Sequence, residues 1–595
     1  MERRNLPALF GALPFLRELD EKSLQEISGE IEWFSLPGGT VLYEAGQDAD
    51  GLYIVINGAL ATYAKLAAGG SRLVGQILAR EIAGEMELIS GEPRSMTVIA
   101  LRDTEVARVT RPLFETLIQR FPASLWQLTK SLVLRLDALQ QPDKVEHSSK
   151  RIFAVVPHDS FGIDGAEFGA RLTDCLHKIG RAELVVRSRA AEQTSHWFHR
   201  IERANDYVVY VTDARPTNWT KLCMRQAQTL LLLAYHDQEA RPWRALADQD
   251  QVAALQSCEL VLQQRGATKT IGTGRWLDVH PCLRHHHVGD AADMARVARL
   301  LTGHGTGIVL SGGGARGFAH IGALRALQES AVPIDATGGT SIGAIIAALW
   351  AAGMDYKQLT QCIRRSFVDA NPLNDYTLPM LSLVAGSKVG TLLRREFGEL
   401  DIEDLKLPFY CLSANLTTGQ AAIHRRGKVW LWLRASVAIP GVLPPVCTGR
   451  QIYVDGATIN NLPVDVMREI ISGRVIGVDA GADHAFESDV ELTEMPLPWN
   501  FLTWMRSRRP RINITQVLWR AGMVNSAAMT LGQRAMADLL LKPPLGQIDM
   551  LDWHAFERVV EIGYRHTMDA LESKALADST RSTGVAASGG QRRQG

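Results

Sequence analysis

Three short stretches of this chain hold side chains whose types and spacing could do chemistry. The stretch "SGGGARG" (311–317) places glycines at 312, 314 and 317 between an apolar run and a helical pattern. Such a turn gathers backbone N–H groups at the start of a helix, where they bind negative charge. That charge could be the pyrophosphate of a dinucleotide or an oxyanion formed during hydrolysis. A second stretch, "GGTSIG" (338–343), contains Gly339-Thr340-Ser341-Ile342-Gly343, the G-x-S-x-G order of a nucleophile elbow. The third, "YVDGA" (453–457), carries Asp455 at the end of an apolar alternation and before a glycine.

The order strand, glycine turn, helix, strand, serine elbow, helix selects between the two readings of the first turn. A dinucleotide site expects a carboxylate at the far end of a second strand, about 20 residues on. Asp335 is the candidate, but it stands before the strand that leads into the elbow. The hydrolytic reading fits better, with Ser341 as nucleophile and the amides of Gly312, Gly313 and Gly314 as oxyanion hole. Gly339 and Gly343 let the neighbouring chains approach the elbow closely. A serine needs a base. Neither His320, in the helix after the glycine turn, nor His424, in "AAIHRRG", has a triad setting. Asp455 is the better candidate, because a carboxylate in a dry pocket gains the pKa a base requires. A turn aspartate that only caps its loop is the competing reading.

The elements that must position these groups fall into modules. Residues 1–140 show short alternating runs separated by Gly and Asp turns, which predicts a compact β structure followed by a helical stretch. From 151 to 300, apolar strand candidates alternate with helical segments, the pattern of a small parallel α/β domain. A third α/β module spans 304–570, and 575–595 is Gly/Ser/Arg-rich and expected to be disordered. The fold class expected is therefore multidomain, a compact β domain (a β-roll, on the resemblance given below) followed by two α/β domains. "RHHHV" (284–288) invites a metal reading, but adjacent histidines on a strand point to opposite faces.

Bulk properties narrow the partners. The 64 Lys+Arg balance 64 Asp+Glu among 595 residues, which argues against a generally basic nucleic-acid binder. Seven cysteines without a C-x-x-C pair read as reduced thiols in the cytoplasm, with no zinc site. The apolar run "AIIAALWAAGM" (344–354) is too short to span a bilayer. At the start of the sequence, Pro7 and Pro14 interrupt the apolar stretch and "RELDEK" follows it, which suits an amphipathic helix better than a secretory signal.

Taken together, "GGGARG", "GTSIG" and the Asp-Gly after "YV" resemble the patatin-like phospholipases. "DYTLPMLSLVAGSKVG", "IEDLKLPFYCLSANLTTG", "RASVAIPGVLPP" and "NNLPVDVM" resemble the neuropathy target esterase branch of that family. The resemblance implies a lysophospholipase or phospholipase B-like esterase that needs no cofactor and uses a Ser341–Asp455 dyad on (lyso)phospholipids. It leaves Arg316 either to steady the glycine turn or to meet the lipid phosphate. The family usually reads Asp-Gly-Gly, and Ala457 takes the place of the last glycine. If that position needs positive φ or close backbone approach, the methyl group would cost about 1 kcal/mol or more and displace Asp455.

Near the other end, "AGEMELISGEPRSMTV" (83–98) resembles the phosphate-binding cassette of cyclic nucleotide-binding domains. The resemblance implies cAMP or cGMP as regulatory ligand, with Glu85 on the ribose hydroxyl, Arg94 on the cyclic phosphate and Ser95 at a guanine edge. Glu87 stands where that family has alanine and would face the bound anion. The sequence thus leaves open whether the domain binds a nucleotide or keeps only the shape. Peripheral membrane contact has a candidate in 495–522, where Trp499, Phe501, Trp504 and Trp519 interleave with Arg506, Arg508, Arg509 and Arg511. A core segment with a basic edge would show the same pattern. Two functions follow from the sequence: a peripheral serine esterase modulated by its N-terminal domain, and a nucleotide-sensing interaction protein whose hydrolase is weakened at Ala457.

Overall fold

The computed structural model describes residues 29–65, 71–122, 125–126, 128–130, 151–159, 162–190, 195–246, 257–266, 271–378, 380–481, 526 and 529–588. The chain divides into two compact units, 1–263 with 279–284, and 264–278 with 285–595.

The first unit opens with two antiparallel sheets. One runs Glu32–Leu36, Thr104–Thr110, Gly51–Asn57, Ile82–Ala83 and the other Val41–Tyr43, Thr97–Ala100, Ala59–Lys65, Ser71–Leu78. Period-two patterning turns one set of side chains inward, and Val55, Leu60, Val98, Ala100 and Val106 pack together with almost no exposure. A short helix, Glu85–Ser90, starts after Gly84 (φ 79°), and the helix Arg111–Arg120 buries Leu113, Phe114 and Leu117 against Leu52 and Val109. Parallel strands follow, side by side in the order Ala182–Val185, Tyr207–Val211, Arg151–Pro157, Thr229–Tyr235, Ser257–Gln263. Their near-continuous Val/Ile/Leu runs are those of strands covered on both faces.

In the second unit the strand β1 (Thr306–Leu310) leads through the glycine turn to helix α1 (Ala319–Glu329). Strand β2 (Ala336–Thr340) leads through the elbow to α2 (Ile342–Ala351). Strands β3 (Phe409–Asn415) and β4 (Gln451–Asp455), helix α3 (Val464–Ile470) and strand β5 (Arg474–Val478) continue the fold, which ends on the long helix α4 (Phe556–Ser588). The sheet runs Val446–Thr448, β4, β3, β2, β1, β5, Leu539–Leu541. From β3 to β5 neighbouring strands are parallel, and β4 joins β3 antiparallel, opposing Ser413 to Asp455. Helix α2 is apolar on every side and buried except at Trp350, so it forms the centre of the core rather than a surface layer.

Two expectations meet the structure here. The stretch from 575 is helical as far as Ser588, where disorder was expected, and 589–595 lie outside the described residues. Composition alone reads as unstructured, but a helix already nucleated at Phe556 is cheap to extend. The histidines of "RHHHV" behave as alternation predicts: His285 and His287 share a face, with ring centroids 5.5 Å apart. His287 is held by Thr273 Oγ1 at 3.0 Å and Leu405 O at 2.9 Å. Among the described residues no group of His, Cys, Asp or Glu is placed to hold a metal ion.

Candidate active site

Ser341 occupies the turn from β2 into α2 with φ 56° and ψ −130°, a conformation L-residues avoid. Strain of this kind costs about 1–3 kcal/mol and survives only where the surroundings impose it. Here they do. A Cβ on Gly343 would lie 2.3 Å from Leu310 O and 2.4 Å from Ser311 O, and one on Gly339 would lie 2.3 Å from Leu310 O. The two glycines therefore let the elbow press against the end of β1. From the other side the Ser341 N–H donates to Ser436 Oγ at 2.9 Å, and that hydroxyl donates to Leu412 O at 2.7 Å.

Asp455 ends β4, its N–H bonded to Ala438 O at 2.9 Å. Ser341 Oγ donates to its Oδ2 at 2.8 Å, and the Ala457 N–H donates to Oδ1 at 2.8 Å. The carboxyl group is fully buried, and burial raises its pKa to about 7 against the opposing pull of the Ala457 N–H and the Ser341 hydroxyl. A carboxyl group poised near neutrality, in contact with a strained hydroxyl, is an arrangement suited to nucleophilic catalysis. Ala457 does not disturb it. It lies outside the left-handed region, and the close approach falls one residue earlier, where a Cβ on Gly456 would meet Leu412 O at 2.2 Å.

The glycine turn differs in one respect from expectation. Gly312, expected as an oxyanion donor, has its N–H bonded to Asn461 Oδ1 at 3.0 Å. The N–H groups of Gly313 and Gly314 make no hydrogen bond within the described residues, and Gly314 opens the 3₁₀ turn Gly314–Phe318. Arg316 Nε donates to Ile548 O at 2.6 Å, a contact that suits the first of the two roles expected for it.

The competing candidates have structural partners. Asp335 is buried between Arg299 and the Thr306 N–H, far from the role of a ribose ligand. His320 bonds Ser311 O at 2.8 Å, and burial lowers its pKa to about 4. His424 meets Ser413 Oγ at 2.7 Å and stacks on Trp432 at 3.9 Å, its pKa also lowered to about 4 by burial. Ser436 lies in "RASVAIPGVLPP" and Asn461 in "NNLPVDVM", stretches that carry the family resemblance without assigning either residue a role.

Residues 308–468 match the patatin-like phospholipase family, 33–121 the cyclic nucleotide-binding domain, and 150–301 the neuropathy target esterase family P-loop like domain. The human patatin-like phospholipase domain-containing protein 6 is 29% identical over 630 residues, covering 93% of this chain and 45% of its own length. Neuropathy target esterase sws of Drosophila melanogaster is 28% identical over 621 residues, covering 92% of this chain and 43% of its own. Three separate stretches of the chain thus match these domain families, in the order cyclic nucleotide-binding, P-loop like, patatin-like phospholipase. The chain spans less than half the length of these relatives.

In the stretch that matches the cyclic nucleotide-binding domain, the donors of the cassette are bonded to the chain's own groups. Arg94 is buried, and its guanidinium donates to Gly84 O at 2.9 Å, Gly51 O at 2.6 Å and Asp50 Oδ1 at 3.0 Å while lying 4.2 Å over the Tyr43 ring. Glu87 Oε1 accepts from the Ser95 N–H at 3.2 Å and the Ser95 hydroxyl at 2.5 Å, and Oε2 stands 3.8 Å from Arg94 Nη1. Glu87 was expected to repel an anion held by these groups, and its carboxyl group instead bonds Ser95 and faces Arg94. Glu85 is buried at 3% exposure. In the P-loop like domain, Asp164 likewise accepts from the N–H groups of Ala166 and Glu167 at the start of helix Gly165–His177.

The aromatic and arginine-rich segment 495–522 lies outside the described residues. Among the described residues no helix is long and apolar enough to cross a membrane.

Proposed function

We propose that the second unit is a serine esterase that hydrolyses acyl esters of (lyso)phospholipids through a Ser341–Asp455 dyad. The observation that carries this reading is the 2.8 Å hydrogen bond from Ser341 Oγ to a buried carboxyl whose pKa is raised to about 7. As Ser341 Oγ attacks the ester carbonyl, Asp455 takes its proton. The carbonyl oxygen becomes an oxyanion, received by the free N–H groups of Gly313 and Gly314. Collapse expels the alcohol, which leaves with the proton from Asp455 and an acyl-serine behind. A water then gives its proton to Asp455 and attacks the acyl carbonyl. The carboxylic acid departs as Ser341 regains its proton.

A lipid substrate needs an approach to the bilayer, which we assign to the Trp/Arg segment 495–522 acting peripherally from the cytoplasm. For the cyclic nucleotide-binding domain, cAMP or cGMP is the candidate ligand on family grounds. Its phosphate must first displace the Glu87 carboxylate from Ser95 and Arg94. The second reading, an interaction protein with a weakened hydrolase, loses its motive because Ala457 keeps its N–H on Asp455.

The test is fatty-acid release from a lysophosphatidylcholine panel, with and without cAMP or cGMP. Wild-type protein should liberate fatty acid and Ser341→Ala should not. Folded wild-type protein that hydrolyses no member of the panel would refute the proposal.

A further inference from the structure

The glycine turn has a holder that the motif does not announce. Asn461 is buried, and its side-chain amide grips one residue from both sides. Oδ1 accepts the Gly312 N–H at 3.0 Å, and Nδ2 donates to Gly312 O at 3.4 Å. The amide thus completes the pairing of a residue that has left β1 and has no strand partner there. Gly312 is also where the reacting groups crowd together. A Cβ built on it would stand 2.7 Å from Asn461 Oδ1, 3.1 Å from the Ser341 Cβ and 3.4 Å from the Ala457 Cβ. The loop that carries Asn461 starts at the base itself, through the 3₁₀ turn Gly456–Thr458, and the Asn460 carbonyl accepts from Thr340 Oγ1 at 3.1 Å. One short loop therefore connects the carboxylate, the residue before the nucleophile, and the turn that faces the reacting carbonyl.

We propose that Asn461 is a positioning residue for ester hydrolysis. By clamping Gly312 it fixes the turn so that the next two N–H groups, of Gly313 and Gly314, point at the oxygen that gains charge when Ser341 attacks. This rests on the esterase reading and adds to it the device that aims the oxyanion donors. Asn461 itself does not touch the substrate. Its contribution passes through Gly312, so its loss should affect the transition state and leave ground-state binding alone.

The full-length protein tests this with a soluble p-nitrophenyl ester, a trifluoromethyl ketone that forms a tetrahedral adduct, and the matching alcohol, which cannot. Displacing oxyanion donors typically costs about 10²–10³ in turnover, so Asn461→Ala should lower kcat by about 30- to 300-fold with KM held within about threefold. Ketone affinity should fall in parallel with kcat/KM, and alcohol affinity should stay within about twofold. Gly312→Ala should show the same pattern, because its methyl group pushes the amide away. If Asn461 acts through Gly312, the double variant should lose no more than about threefold beyond the worse single variant. Circular dichroism and thermal unfolding establish that each variant is folded. Where Asn461→Ala fails to fold, Asn461→Gln carries the same comparison with a smaller loss.

Turnover within threefold of wild type, equal losses for ketone and alcohol, or multiplying losses in the double variant would each overturn the proposal. Wild-type protein that hydrolyses nothing would instead bring down the esterase reading, and this inference with it.

Discussion

Two glycine-led turns in this chain have the shape that receives an anion, and they treat it in opposite ways. In the second unit, the turn at Gly312–Gly314 leaves two N–H groups without a partner among the described residues, and the nearby acid, Asp455, accepts from the Ala457 N–H and from Ser341. In the first unit, the cassette from Gly84 to Ser95 has drawn its own acid in. Glu87 accepts both donors of Ser95 and faces Arg94 across 3.8 Å, while the hydrogen bonds of Arg94 end on Asp50, Gly51 and Gly84. What separates the two turns is whether a side chain of the chain already bonds their donors.

The strongest way to break this comparison is to disable the turn read as open. Ser341→Ala and Asp455→Asn should each lower ester hydrolysis by about 10⁴-fold or more, measured as fatty-acid or p-nitrophenol release. If Asp455→Asn keeps activity within about tenfold of wild type, the carboxylate is a loop cap and the turn is no more functional than the cassette.

The next largest effect lies in the cassette. Removing an acceptor that holds charged and neutral donors should free them for a phosphate, so Glu87→Ala should raise affinity for cAMP or cGMP by about tenfold or more. Titration calorimetry on the full chain measures it. Equal, tight binding by wild type and variant would show that Glu87 is no occupant.

The pH dependence sharpens the contrast further. Asp455 must be ionised to accept a proton, and its pKa is raised to about 7, so kcat/KM should fall about tenfold per pH unit below that value and level off above it. The same shift bears on stability with the opposite sense. The folded carboxyl holds its proton more tightly than the unfolded one, whose value is 3.8. Its contribution is complete below pH 3.8 and is lost as pH rises through about 7. Asp455→Asn should therefore raise the thermal midpoint relative to wild type more at pH 8 than at pH 5. A gap that does not grow with pH would show that the acid is ionised at little cost.

The smallest effect concerns Ala457. Restoring the family glycine with Ala457→Gly should leave kcat/KM within about threefold and cost about 0.5–1 kcal/mol of stability in denaturant unfolding, because only backbone freedom changes. A large gain in activity would mean that the methyl group obstructs the site after all.

Much of this was legible in the sequence where chemistry is written in contiguous residues. The elbow, the glycine turn and the Asp-Gly step are local patterns, and the strands and helices that carry them follow from apolar periodicity. The bond between Ser341 and Asp455 spans 114 residues, yet the two motifs together anticipate it. Ser436 and Asn461 were not legible. Each bonds a backbone group supplied by a distant segment, 95 residues away for Ser436 and 149 for Asn461, and the family-like stretches they lie in do not say which group that is. Gly312 was misread for the same reason, since its N–H was already taken by a side chain from elsewhere. Glu87 stood out as a misfit, but sequence shows only that a carboxylate is present, not that it turns inward to bond Ser95. The helix through 575–588 escaped notice because composition ignores the nucleus that precedes it.

The most direct test of the central claim is covalent labelling of the folded, full-length protein with a fluorophosphonate, followed by peptide mass spectrometry. The dyad predicts a single adduct on Ser341 that disappears in Ser341→Ala and is strongly slowed in Asp455→Asn. An unlabelled Ser341 in folded wild-type protein, or labelling that is indifferent to residue 455, would contradict it.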